Sequence, residues 1–213
     1  MGNDHRWVFG GTGNTVQDSL GNVTGTLAGN VSREGPGRYG IGNIIQIQSG
    51  GDSHIDFGTG VGQFGTNAFT VMLWFLTQDH SPNFDLVGNR WDTSHGNFFS
   101  LRMNGSQGFV VAEVDQDGNG TNYCAAQSAG GLNDDQWHHV AVVRAGPSLT
   151  LYVDGQLAVQ DAGKGVAKIG NGHPWRLGRS PATSATGNVM YTDLGVYGGE
   201  LGPDDIYHIY CFH

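Results

Sequence analysis

A chain of 213 residues with a formal net charge of −9 and only two lysines, Lys164 and Lys168, carries no basic stripe to neutralise phosphates, so nucleic acid is not an expected partner. Its 37 glycines and 14 % charged residues suit many short strands joined by tight turns, and its length fits one all-β unit with a sizeable core. The apolar runs at 43–47 and 69–75 fall far short of the roughly twenty residues of a membrane span, so no membrane insertion is expected.

Met1-Gly2-Asn3-Asp4 lacks the basic head and apolar core of a signal peptide. The chain is therefore read either as the mature or recombinant form of a secreted, extracellular protein, or as one not exported by that route. Asn22, Asn30, Asn104 and Asn119 each have Ser or Thr two residues on, a pattern frequent by chance in a chain this rich in those residues.

Further along, Gln78-Asp79-His80-Ser81-Pro82-Asn83 is a polar, proline-stiffened connection leading into a strand around Asp85-Leu86-Val87. After that strand comes Asn89-Arg90-Trp91-Asp92-Thr93-Ser94-His95-Gly96-Asn97. Sugars are commonly held by an aromatic face under the ring and planar polar groups reading vicinal hydroxyls, on loops that a rigid scaffold presents. Trp91 is the candidate platform, and Arg90, Asp92, His95 and Asn97 are the candidate readers. Asp79, His80 and Asn83 would form a second wall beside them. The alternative is that Trp91 tucks under its loop as a satellite core residue.

Asp115-Gln116-Asp117-Gly118-Asn119-Gly120 superficially resembles a calcium loop but lacks the distant bidentate Glu of an EF-hand. A hairpin turn between strands at 110–114 and 121–125 is preferred. Residues 137–160 read as two strands with a period of two: Val140, Val142 and Arg144 point one way, and His139, Ala141 and Val143 the other. Asp154-Gly155 then supplies the positive φ that a two-residue hairpin requires. Trp74, Trp137 and Trp175 fit core positions, and only the tail at 204–210 has helical spacing. Cys124 and Cys211 leave one disulfide open.

The Trp137-His138-His139-Val140 strand followed by Leu151-Tyr152-Val153-Asp154-Gly155 resembles the laminin-G-like and pentraxin-like jelly rolls. The resemblance extends over residues 7–210, through Trp7-Val8-Phe9, Gly25-Thr26-Leu27, Ser53-His54-Ile55-Asp56-Phe57, Trp175-Arg176-Leu177-Gly178 and Asp193-Leu194-Gly195-Val196-Tyr197. It implies an all-β fold: a single domain over 1–213, built as a two-sheet antiparallel jelly-roll sandwich of the concanavalin A type, with a short C-terminal helical turn.

By the same resemblance calcium is the expected cofactor. In pentraxins a Glu-Gln-Asp run after the penultimate strand binds it, but here that place is held by Arg179-Ser180-Pro181-Ala182-Thr183, with no carboxylate. Asp18 and Asp193 remain candidates to share an ion because the first and last strands of such sandwiches are neighbours. Asp115 and Asp117 are the other metal candidates. For Asp18 the bland reading is a turn-stabilising bond, and for Asp193 a solvated edge.

Catalysis is not expected. Retaining glycosidases need paired carboxylates, yet the only glutamates are Glu34, Glu113 and Glu200, and no alternating acidic motif or Gly-x-Ser-x-Gly elbow occurs. The expected function is non-catalytic carbohydrate binding, as a lectin for glycans or glycoconjugates, with several copies associating as a homo-oligomer. Two alternatives stand beside it: an adhesion module for a protein partner, and a polysaccharide-active enzyme or its binding domain.

Overall fold

The computed structural model describes residues 4–183 and 185–213. Residues 1–3, where the chain was read as lacking a leader, lie outside the described residues.

Two antiparallel sheets carry the strands. The first runs, edge to edge, Gln156–Ala162 (β14), Ser148–Val153 (β13), His138–Ala145 (β12), Phe69–Thr77 (β7), Val189–Tyr197 (β16), Asn43–Ile47 (β5) and Val31–Pro36 (β4), with His5–Trp7 (β1) also paired to β16. The second runs Cys124–Gln127 (β11), Phe109–Asp117 (β10), Gly96–Asn104 (β9), Phe84–Gly88 (β8), Arg176–Leu177 (β15), His54–Asp56 (β6), Thr24–Ala28 (β3) and Thr15–Gln17 (β2). Their inner faces meet as a jelly-roll sandwich, as expected.

Alternation places the core. In β12, Val140 and Val142 enter the main cluster between the sheets, while Ala141 and Val143 join a smaller one on the outer face of the first sheet. The β13–β14 turn is the expected hairpin, with Asp154 at φ 49° and Gly155 at φ 75°. Aromatic rings fill the middle: Phe99 stacks on Trp175 at 5.3 Å, and Phe64 on Phe69 at 4.0 Å.

The tryptophans divide differently from expectation. Trp175 is a core residue, but Trp137 is only half-buried, just ahead of β12. Trp74 is buried on the outer face, under the C-terminal helix Pro203–Phe212 (α1). That helix starts with Pro203, whose missing N–H costs nothing in a first turn, and the Asp205 carboxylate accepts the Gly202 N–H at 3.1 Å. Ile206 is its fully buried anchor. Both cysteines are free: Cys124 is buried with its thiol 3.2 Å from Asp161, and Cys211 lies on α1.

Candidate functional site

The outer face of the second sheet holds polar side chains where a solvated face would normally place them, yet these are sunk beneath loops. Val110, Ala112 and Val114 of β10 point into the core, so Glu113 points out, and the Asn104–Phe109 pairing of the β9–β10 hairpin sets Arg102 diagonally across from it. Glu113 is 3 % exposed. One of its oxygens accepts from Arg102 Nη2 at 3.2 Å and Tyr123 Oη at 2.5 Å, and the other from Arg102 Nε at 2.7 Å and Arg90 Nη1 at 3.1 Å. Burial, followed by the bond to Glu113, pushes the Tyr123 hydroxyl far above its usual range.

Above this floor opens a cavity of about 230 Å³, walled by Asn83, Asp85, Arg90, Thr93, Arg102 and Thr183. Asp85 is 4 % exposed and accepts from the Ser180 N–H at 3.1 Å and from the Thr183 hydroxyl. The segment 179–183, which holds no carboxylate of its own, thus serves as one wall. Arg90 folds back over the Phe98 ring at 4.7 Å and donates to the carbonyls of Asp92 and Thr93 at 2.9 and 3.2 Å. The pocket is therefore lined by two guanidinium groups, a carboxylate, an amide and two hydroxyls, the groups that read vicinal hydroxyls.

Of the residues singled out from sequence, Asn83 and Arg90 meet at this pocket. Trp91 stands outside it, 38 % exposed and stacked on His173 at 5.2 Å. Asp92 spends its carboxylate on the Ser94 N–H and hydroxyl, both at 2.9 Å, and those bonds hold its pKa below the usual carboxylate range. Asn97 ties its amide to the Gln116 carbonyl at 3.2 Å and to that of Lys168. His95 lies 2.8 Å from Asp115, and the loops 89–97 and 115–122 are joined there.

Asp79 and His80 lie elsewhere. The loop 78–83 precedes β8 and the loop 89–97 follows it, and only the end of the first, at Asn83, reaches the pocket shared with Arg90 and Thr93. Asp79 caps the Ser81 and Asn188 N–H groups, each at 2.7 Å, and His80 contacts Asn133 at 2.8 Å. The wall that sequence reasoning missed is Asp85, Arg102, Glu113, Tyr123 and Thr183. The available signal was the outward phase of Arg102 and Glu113 across one hairpin.

The four metal candidates fit a calcium ion poorly. Arg6 touches both Asp18 and Asp193: its N–H donates to Asp18 at 2.9 Å, and its guanidinium grips both Asp193 oxygens at 2.7 and 2.6 Å. Burial by itself would raise the Asp18 pKa, but the bonds from the Arg6 amide, His5 and the Leu20 and Gly21 amides outweigh it and lower the pKa. Asp18 thus has its turn bond, and Asp193 has a cation rather than open solvent. Asp115 is fully buried against His95 and two backbone amides, and Asp117 accepts three backbone N–H groups at 2.9 to 3.1 Å within its turn. Among the described residues, no three His, Cys, Asp or Glu side chains converge on a point.

Solved structures share the fold at low sequence identity. The binding domain of the Paraclostridial Mosquitocidal Protein 1 superposes with a TM-score of 0.75 at 17 % identity, covering 96 % of this chain and 52 % of that one. The binding domain of botulinum neurotoxin DC, solved in complex with SialylT, gives 0.73 at 16 % identity over 96 % of this chain and 51 % of that one. The same domain solved with rat synaptotagmin II gives 0.69 at 15 %, covering 98 % and 51 %. The chain spans about half the length of these domains. No curated protein matches it by sequence. A family profile does match, Laminin_G_3, over residues 49–207, and the chain accordingly belongs to that family of the concanavalin A-like lectin/glucanases superfamily.

Proposed function

We propose that this chain is a non-catalytic carbohydrate-binding module that takes a glycan in the pocket above Glu113. The observation that carries the reading is a cavity of about 230 Å³ in which Arg90, Arg102, Asp85 and Asn83 converge on a rigid sheet face. Trp91 with His173 would extend the surface for a longer chain of sugars. A binding role is favoured over hydrolysis because glycoside hydrolysis needs a pair of carboxylates, whereas Asp85 is the only one among the described lining residues and both oxygens of Glu113 beneath it are taken by guanidinium and phenol donors. A lectin of this kind would act outside the cell, and weak single-site affinity would be offset by several copies acting together.

A glycan array probed with and without calcium tests the proposal, with Arg102→Gln as the control. Saturable binding lost in that variant supports it. Silence on glycans with retained binding to a cell-surface protein would replace it by the adhesion reading, a role for which the neurotoxin domain solved with synaptotagmin II offers a parallel. Light scattering over a concentration range tests association: a constant mass near 22.6 kDa would argue against a homo-oligomer.

A further inference from the structure

A second cavity lies on the other side of the sandwich, between the last turn of α1 and the outer face of the first sheet. Its volume is about 180 Å³, and Arg6, Trp74, His139, Asp193, Ile209 and His213 are among its walls. His139 is 1 % exposed, and among the described residues neither of its ring nitrogens has a hydrogen-bond partner. The indole N–H of Trp74, also 1 % exposed, is equally unpartnered. The Trp74 ring itself is occupied, with the Arg38 guanidinium 3.3 Å over it and Tyr210 stacked at 5.4 Å. What it offers to the cavity is therefore its edge.

Unpaired polar groups at this depth destabilise the fold unless something in the cavity meets them. The lining specifies what that is. Arg6 is neutralised by Asp193, and Arg38, which covers the Trp74 face, is not one of the cavity's walls, so no unpaired charge of the lining calls for an ion. A neutral imidazole presents one donor and one acceptor, and the indole presents a donor. A carboxylate could only accept, leaving the acceptor nitrogen of His139 unmet, and a phosphate would bring a charge that the lining does not balance. An ammonium could only donate, and would face the indole and guanidinium N–H groups. A hydroxyl both donates and accepts, so a molecule bearing several satisfies the whole set. The cavity has the liquid volume of about six waters, enough for a polyol of roughly three to five carbons.

We propose that this cavity is a ligand site for a small, neutral, polyhydroxylated molecule, held by hydroxyl bonds to both ring nitrogens of His139 and to the Trp74 indole N–H. It is separate from the pocket above Glu113 and does not depend on the function proposed for that pocket.

The experiment is a titration of the full chain, labelled with ¹⁵N at its histidines, with the four-carbon polyol erythritol and, in parallel, with acetate at neutral pH. The expected result is a saturable shift of the His139 ring nitrogens with erythritol and none with acetate. That shift should vanish in Ile209→Trp, which fills the cavity from the helix side, and persist in Arg102→Gln, which alters the other pocket. Should Ile209→Trp not fold, Met72→Phe fills the same space from the sheet. Unmoved His139 resonances, a linear drift without saturation, or saturation by acetate instead would overturn the proposal.

Discussion

His138 and His139 are consecutive in β12, yet their surroundings drive them in opposite directions. The His138 ring lies 2.9 Å from Asp154 and 3.1 Å from Asp134, whereas the His139 ring has no hydrogen-bond partner among the described residues. The bond to Asp154, stronger than the opposing effect of burial and aided by Asp134, raises the His138 pKa above 6.5. Burial, with a smaller contribution from the Arg38 charge and against the weaker pull of Asp154 and Asp193, takes His139 down to about 4.

The two should shape opposite limbs of a pH–stability curve. Because folding raises the pKa of His138, its contribution is complete below pH 6.5 and is lost as pH rises through the folded value. His139 takes up a proton in the unfolded chain but not in the folded one between pH 6.5 and about 4, so its neutrality destabilises the fold as pH falls through that window. Urea unfolding at intervals from about pH 4 to about 9 should therefore give a maximum between the limbs. His138→Gln should flatten the alkaline limb and His139→Leu the acid one. An alkaline limb that survives His138→Gln unchanged would refute the assignment.

The cluster under the first pocket should be structural as well as functional. Glu113→Ala leaves two guanidinium groups without their carboxylate, a change that typically costs about 3–5 kcal/mol when the pair is buried. Tyr123→Phe removes a single charge-assisted bond and should cost about 1.5–3 kcal/mol. Denaturant midpoints read both. A Glu113→Ala variant as stable as the parent would mean that the ion cluster is solvated in solution.

Trp91→Ala separates platform from packing. With the ring 38 % exposed and stacked only on an exposed histidine, melting should hardly change. Glycan affinity, if Trp91 stacks on sugar as aromatic platforms do on bases, should fall by about 1–3 kcal/mol. Calorimetric titration beside thermal melting distinguishes these outcomes, and a large fall in melting temperature would place Trp91 in the fold instead.

Calcium should leave melting unchanged. A ligand that binds only the folded state raises stability by about 2.7 kcal/mol at a hundred times its dissociation constant, but the carboxylates best placed for it already hold Arg6, His5, His95 and backbone amides. Scans in excess calcium and in chelator should superimpose. A calcium-dependent rise would point to a site built on backbone carbonyls.

Sequence alternation carried most of the sandwich. The inward phase of Val140 and Val142, the Asp154-Gly155 turn and the order of landmarks from Trp7 to Tyr197 are local or sequential properties, and they reappear in the structure. The Glu113 cluster was less legible because, although Arg102 and Tyr123 each reach Glu113 across one hairpin, Arg90 comes from a separate loop and no pattern says that the three donors share one carboxylate. The pairing of Arg6 with Asp193 spans almost the whole chain, so no spacing rule announces it. Trp137 was misplaced, being only half-buried, while Trp74 is buried as expected but on the outer face. Period-two patterns name two faces but do not say that a helix will cover the outer one, which buries Trp74 without placing it between the sheets.

The contact of Arg6 with His213 at 2.6 Å has a mechanical meaning. It brings the first strand and the end of the last helix to the same spot, so tension applied at both ends would not shear the sandwich along its length. It would peel β1 from β16 like a zipper, starting at His5 opposite Val196 and ending at Trp7 opposite Leu194. Arg6, Asp193 and His213 would be pulled apart first, and with them one wall of the cavity beside His139. Mechanical load would therefore open that cavity before it disturbed the pocket on the opposite sheet.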